Sequence, residues 1–320
     1  MRVFSPEISI LMCVYQEPIE WLRAAIESIL HQTFHDFELI AIVDAPEGNE
    51  RFALLKDYAA HDSRIVLYRN ERNLGIALSL NIAMELARGK YIARMDADDI
   101  SDKHRLERQY EFMEAHDDVV LLGTDVCIIG KNAWRHPTDN IRFEDDAIKA
   151  QMLMGNCIAH PSVMMRRHVL ETHGLRYEQA YNYCEDYRLW EKMMPLGKFA
   201  CLKNKLLFLR LSEMQLSKKH HSEMVRQANA VRSRLQQAWL RHCGYERFTE
   251  EDLMCRSLEV LKELRDDKRV NRTLEYKAFV QYAYLSVQDK KKRVLAPFHN
   301  GDIRCFTILN IMRLLFCRER

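Results

Sequence analysis

Met95-Asp96-Ala97-Asp98-Asp99 sets three carboxylates within four consecutive positions. At ~4 Å and an effective dielectric near ~20, each close pair of such charges repels by about 4 kcal/mol. A divalent cation cancels that repulsion, and Mg²⁺ or Mn²⁺ favours carboxylate oxygens shared with phosphate oxygens. The competing reading is a helix start, with Ser101 or Asp102 capping a helix that opens at Lys103. The two are compatible, because Asp102 can cap while Asp96 and Asp98 hold metal. D-x-D alone arises often by chance; its place at a strand end favours the metal.

Tyr183-Cys184-Glu185-Asp186-Tyr187-Arg188-Leu189-Trp190 is the second cluster. Acids in the first turn of a helix suit its dipole, worth about 0.3–1 kcal/mol, and need no further role. A carboxylate beside Tyr and Trp would also be partly desolvated and more basic, as a general base requires. Both readings stand. Asp44 follows an apolar run and precedes the turn-rich Ala45-Pro46-Glu47-Gly48. It either shapes that turn or accepts a hydrogen bond from a pyrimidine base or a ribose. Asn73-Leu74-Gly75 divides the same way between turn geometry and ligand binding. His160-Pro161-Ser162 leads into apolar Val163-Met164-Met165, and a lone His is more often structural than functional. Arg210, with residues 215–219 behind it, offers cations to a diphosphate or to solvent.

The apolar pattern shows what must position these groups. Buried-strand runs fall at 8–14, 38–43, 65–68 and 91–95, and helical spacing at 19–30, 51–60 and 78–87. Continuous apolar strands alternating with amphipathic helices predict a mostly parallel sheet covered on both faces. In such a doubly wound α/β fold, ligands sit beyond the carboxyl ends of the strands. Residues 15–17, 44, 70–75 and 96–99 occupy those places, and polar or acidic side chains stand at each. Further on, a helix is expected at 103–116, a strand at 119–129, and helices at 147–154 and 186–194. From about residue 222 the composition turns to Glu, Arg, Gln, Leu and Ala, which predicts a helical appendage.

The 320 residues leave room for one substantial α/β domain and a smaller part, and 48% apolar residues can build its core. A formal net charge of +2 gives no basic excess, so no nucleic-acid partner is expected. Nine Cys without C-x-x-C spacing, with Cys13 and Cys127 inside apolar runs, predict buried thiols in a reducing compartment. Apolar 8–15 is short and follows Pro6-Glu7 where a secretory leader needs a basic flank. No apolar run reaches the ~18 residues of a membrane span. The expectation is a cytoplasmic protein, free or held peripherally on the cytoplasmic face of the inner membrane.

Taken together, these residues resemble glycosyltransferase family 2, inverting enzymes with the GT-A nucleotide-sugar fold, over roughly residues 7–220. Residues 8–18 are similar to the family's opening strand and V-Y-N-x-x signature, with Gln16 for the usual Asn. Asp44 matches the acid that contacts the nucleobase, with Ala45 where a second Asp is common. Asn73, Gly75 and Asn81 match the N-x-G…N segment, and residues 96–99 the D-x-D element. The resemblance implies that Asp98 is the direct metal ligand and Asp96 lies at the ribose or the metal's water shell. It also implies donor contacts from Val14, Tyr15, Glu17, Arg94 and Ala97. His160 resembles the loop below the acceptor cleft, and Glu185-Asp186 the E-D pair whose second residue is the catalytic base. Trp190 falls in the same acceptor region. Arg210 and Ser217 look like the R…S ending of single-addition enzymes, with no Q-x-x-R-W of processive synthases present.

The implied fold is α/β, a GT-A doubly wound, mostly parallel sheet flanked by helices with a C-terminal helical appendage. A nucleotide-sugar domain would occupy 1–220 and a helical region 221–320. The implied activity, with Mg²⁺ or Mn²⁺ as cofactor, moves a sugar from a nucleotide diphosphate, UDP first, to a hydroxyl of a glycan. That acceptor would be lipid-linked and destined for cell-surface polysaccharide. Lys290-Lys291-Lys292-Arg293 and apolar 305–317, too short to span, either lie in an anionic membrane surface or pack as an ordinary helix. Two other readings compete. A sugar nucleotidyltransferase would carry a Gly-rich basic loop where Tyr15-Gln16-Glu17-Pro18 stands, and a non-catalytic scaffold would need neither Asp98 nor Asp186.

Overall fold

The computed structural model of the chain describes residues 5–45, 50–130, 143–211 and 220–242. Ser217 and the stretches 290–293 and 305–317 lie outside the described residues. The chain divides into two compact units, Met1–Ala133 with Ile158–Lys219, and Trp134–Cys157 with His220–Arg320.

In the first unit β1 (Ile8–Val14), β2 (Phe37–Val43), β3 (Ile65–Arg69) and β4 (Tyr91–Asp96) pair in parallel, in the order β3-β2-β1-β4. Every residue of β2 is buried, as an uninterrupted apolar strand must be when both sheet faces are covered. Helices α1 (Ile19–Leu30), α2 (Glu50–His61) and α3 (Ile76–Leu86) connect them, and α1 buries Leu22, Ala25, Ile26 and Ile29 as one stripe. Val14 stands opposite Val43 and Cys13 opposite Asp96, so β1, β2 and β4 end level. The residues that follow these three strands share one edge of the sheet.

Beyond β4 the pairing changes direction. The remaining strands are β5 (Ile100–Ser101), β6 (Val119–Gly130), β7 (Met164–Arg166) and β8 (Lys198–Leu211). β7 lies antiparallel between β4 and β6, β8 runs parallel to β6, and β5 is antiparallel to β8. The sheet is mixed but mostly parallel, and the doubly wound expectation holds for its β3-β2-β1-β4 half. Neither β7 nor β8 is visible in the apolar pattern. Exposed Lys203, Asn204 and Lys205 interrupt β8, and there its register against β6 slips from Leu202 opposite Thr124 to Lys205 opposite Asp125. Such a bulge breaks the period that marks a strand.

The helices of this half are α4 (Arg105–Ala115), α6 (Arg167–Thr172) and α7 (Glu185–Met193), with α5 (Asp145–Met152) in the second unit. α4 opens at Arg105 instead of Lys103, because the Asp102 carboxylate first takes the His104 N–H at 2.9 Å and closes a turn. Buried Arg166 fills a corner between elements. Its guanidinium donates to the carbonyls of Val119 (2.7 Å), Met113 (2.7 Å) and His116 (2.9 Å), and to Tyr91 Oη (3.1 Å). The Met113 and His116 carbonyls at the end of α4, each already accepting a backbone N–H, thereby gain a second partner.

In the second unit α5 is followed by α8 (His221–His242). Arg232 and Gln236 of α8 donate to the carbonyls of Met154 (3.0 Å) and Leu153 (2.8 Å), while Val231, Leu235 and Trp239 are buried. Among the described residues no helix is long and apolar enough to cross a membrane. Cys13, Cys127, Cys157, Cys184 and Cys201 are free thiols.

Candidate active site

Asp96 ends β4, and Asp98 and Asp99 lie on the turn after it, with carboxylate oxygens of all three within 4.8 Å of one another. Burial and the charges of Asp96 and Glu17 push the Asp98 carboxyl up to about 7, against the pull of Arg94. Asp99, 2% exposed, is raised well above the carboxylate range by burial and then by Asp96 and Asp98. Its Oδ1 accepts the Arg210 N–H at 2.7 Å, while its Oδ2 is buried without a hydrogen-bond partner. Negative charge here exceeds what the protein neutralises. Buried Arg94 forms an ion pair with Asp96. Arg210 arrives through the β5–β8 pairing, donates from Nε to the Asp98 carbonyl at 2.8 Å, and stacks its guanidinium 4.8 Å over Trp21.

The neighbouring strand ends supply the next layer. Tyr15, partly exposed, donates its backbone N–H to the Glu17 carboxylate at 2.8 Å, and burial raises that carboxyl. Val14 is buried and its carbonyl accepts the Asp44 N–H at 2.8 Å; Ala97 is also buried. Asp44, 5% exposed, gathers a loop around itself. Oδ1 accepts from Asn70 Nδ2 (2.8 Å) and the Leu74 N–H (2.8 Å), and Oδ2 from the Gly75 N–H (2.9 Å). An ionised carboxylate has about four acceptor positions, so roughly one remains for a ligand. Asn73 closes the same turn, its Oδ1 accepting the Gly75 N–H at 3.1 Å. Asn81, which the resemblance assigns to the donor segment, turns both ends of its amide onto the Tyr177 backbone, each contact at 2.9 Å. That geometry anchors a loop.

The third layer comes from the far half of the chain. His160 is buried with Nε2 2.9 Å from Tyr177 Oη and Nδ1 3.7 Å from Glu185 Oε1. Burial, helped by the Arg94 charge, drives the imidazole well below its usual range and keeps it neutral. Trp190 is 0% exposed, stands edge-on to His160 at 5.8 Å, and leaves its indole N–H buried without a partner. Glu185 and Asp186 occupy the first turn of α7, where Asp186 Oδ1 accepts the Tyr187 N–H at 2.6 Å. Burial, then the Asp186 charge, pushes the Glu185 carboxyl up to about 8, and Arg94 and Asp96 also act on it. Burial raises the Tyr177 phenol, with Glu185, Asp186 and Cys13 adding to the rise and Arg94 opposing it. Val163, just after the His160 turn, accepts the Arg94 N–H of β4 at 3.0 Å, so His160 lies between the end of β4 and the start of α7. Tyr177 and Asn182 stand in this assembly without any spacing in the sequence to announce them, whereas Asn70 belonged to the strand-end segment 70–75 and Asp99 to the acidic run.

Comparisons with known proteins agree on the kind of molecule. The Glycosyl transferase family 2 model matches residues 9–174, from β1 past the end of α6 and short of α7. The O-antigen biosynthesis glycosyltransferase WbnJ of Escherichia coli is 34% identical over 193 residues, 58% of this chain and 71% of that protein. The crystal structure of S. aureus TarS 1–349 in complex with UDP-GlcNAc aligns with a TM-score of 0.59 at 13% identity, covering 96% of this chain and 90% of that one. Mannosyltransferase PcManGT from Pyrobaculum calidifontis, in complex with GDP-Man and Mn²⁺, aligns at 0.52 and 13% identity, covering 99% and 89%. At such identities the two structures speak for a shared GT-A-like fold.

Proposed function

The chain belongs to glycosyl transferase family 2, and on that premise we propose that it transfers a sugar, with inversion, from a nucleotide diphosphate to a hydroxyl of a surface glycan. One observation carries the reading. His160 stands 3.7 Å from Glu185 at the start of α7, and Val163 just after it is bonded to Arg94 of β4, the ion-pair partner of Asp96, so a short chain of contacts links two acidic clusters distant in sequence.

Asp96, Asp98 and Asp99 form the donor side. Their crowded oxygens, two raised carboxyls and the unpartnered Asp99 Oδ2 fit Mg²⁺ or Mn²⁺, and the Mn²⁺ of PcManGT supports that choice. When bound, the cation would supply positive charge for the departing diphosphate. Arg210, held against the Asp98 carbonyl, is the protein cation best placed to join it. Asp44 keeps about one acceptor position for a base N–H, and the UDP-GlcNAc of TarS supports a uridine donor.

Asp186 is the base on the acceptor side. Glu185, pushed up to about 8, keeps its proton at neutral pH and does not compete for that role. Asp186 takes the proton of the acceptor hydroxyl as its oxygen bonds to the anomeric carbon. The bond to the diphosphate breaks on the opposite face, and its electron pair leaves with the diphosphate. An α-linked donor then yields a β-linked product. The relative named for O-antigen biosynthesis supports a surface-glycan acceptor, which we take to be lipid-linked.

The test is a donor screen. Purified protein offered UDP-, GDP- and dTDP-sugars, with Mg²⁺ or Mn²⁺ or with EDTA, should consume UDP-sugars only when metal is present. Turnover undiminished by exhaustive chelation would contradict the metal assignment. No turnover of any donor, even with glycolipid acceptors supplied, would contradict the catalytic reading.

A further inference from the structure

α3 begins after Gly75, whose backbone sits at φ +82° and which has no side chain to cap the helix. The first N–H groups of a helix need partners from elsewhere. Two sources supply them here, one on each side of the site. From the donor side the Asp44 carboxylate holds the Leu74 and Gly75 N–H groups at 2.8 and 2.9 Å. From the base side Asn182 brings its Oδ1 to the Ala77 N–H at 3.3 Å. The fit is close: a Cβ on Gly75 would stand 3.0 Å from both heteroatoms of the Asn182 amide. One helical turn onward, on the same face of α3, Asn81 binds the Tyr177 backbone both as donor and as acceptor at 2.9 Å. Tyr177 in turn meets His160, and Asn182 precedes Glu185 by three residues.

We propose that Asn81 and Asn182 are positioning residues that stitch the segment carrying Glu185 and Asp186 to the donor loop at residues 73–75. Two ties one turn apart fix both distance and rotation, which a single tie does not. Asp44 grips the same helix start from the nucleotide side, so a donor seated against residues 73–75 meets a base already at its working distance. The inference rests on the reading of Asp186 as base and of the Asp44 loop as the nucleotide side.

The experiment uses the full chain, well below each variant's unfolding midpoint, and measures two quantities. One is kcat for sugar transfer; the other is affinity for whichever of UDP, GDP and dTDP binds the unmodified protein most tightly. Asn182→Ala and Asn81→Ala should each lower kcat by at least about tenfold, since ~1 Å of misplacement can cost ~100-fold. Both should also weaken nucleotide binding about threefold or more, although neither side chain belongs to the donor loop. Asn182→Asp keeps an oxygen for the Ala77 N–H and should restore both quantities to within about threefold. A fall in kcat with nucleotide affinity unchanged would overturn the stitch, as would failure of Asn182→Asp to restore either value. Asp186→Asn separates the two readings: it should abolish transfer and leave nucleotide affinity intact. If it stayed active, the base assignment would fall, while the nucleotide affinities of the asparagine variants would still decide the stitch.

Discussion

Asp98 and Glu185 both carry carboxyls raised first by burial and then by a neighbouring acid, and each has a measurable consequence. Around Asp98 the leading causes are burial and the charges of Asp96 and Glu17, so replacing the carboxylate by an amide removes repulsion. Asp98→Asn should therefore raise the melting temperature of the metal-free protein. It should also abolish the stabilisation that Mn²⁺ gives the unmodified chain and cut transfer at least about 100-fold, all readable by thermal unfolding with Mn²⁺ or EDTA and by turnover. Glu185 is raised first by burial and then by Asp186. Folded, it holds its proton up to about pH 8; unfolded, it releases it near the ordinary carboxylate value of about 4.3. Its contribution to stability thus declines as pH rises through that window and levels off above about 8. Glu185→Gln lacks this slope. Its melting temperature should vary less than that of the unmodified chain between about pH 5 and 8, and should exceed it at pH 8.

Whole elements were legible where the apolar pattern is continuous or one-sided. β1 and α1 fall on the expected bounds because an uninterrupted apolar run and a one-sided apolar stripe each stand out from the residues around them. β8 escaped because exposed Lys203, Asn204 and Lys205 interrupt its apolar run, and β7 because three residues carry no period at all. The site divides along the same line. The acids at 96–99 stood out as a run at a strand end, where the structure brings the oxygens of Asp96, Asp98 and Asp99 within 4.8 Å of one another, and Glu185-Asp186 stood out as a pair at the start of α7. Tyr177 and Asn182 did not, because what recruits them is contact with α3 across the fold, and one Tyr or Asn in a loop has no spacing to betray it. Arg166, one of two consecutive arginines, is buried and holds the carbonyls of Val119, Met113 and His116. Met113 and His116 also accept backbone N–H groups, so what is lost is their hydrogen bonds to a charged guanidinium, worth about 1.5–3 kcal/mol each. Arg166→Met should accordingly destabilise the protein by about 3 kcal/mol or more, measured by urea unfolding, and those carbonyls, not a lost surface charge, would account for it.

For the molecule as a whole, a net charge of +2 hides an uneven layout in which Lys290-Lys291-Lys292-Arg293 stands ahead of apolar 305–317. If the acceptor is lipid-linked, these residues are the candidates for holding the enzyme to an anionic surface, at about 1 kcal/mol per basic residue near the lipid. The full chain should float with phosphatidylglycerol liposomes at low salt, and a chain lacking 290–320 should stay with the soluble fraction; equal flotation of both would remove that role. The central claim, however, concerns the meeting of two acidic clusters in one catalytic centre. Its most direct test is the transfer rate of Asp186→Asn measured beside its nucleotide affinity. A loss of at least about 10³-fold in transfer, with binding within about twofold, is the outcome expected of a base removed from an intact donor site. Transfer near the unmodified rate would place the proton acceptor elsewhere and contradict the account.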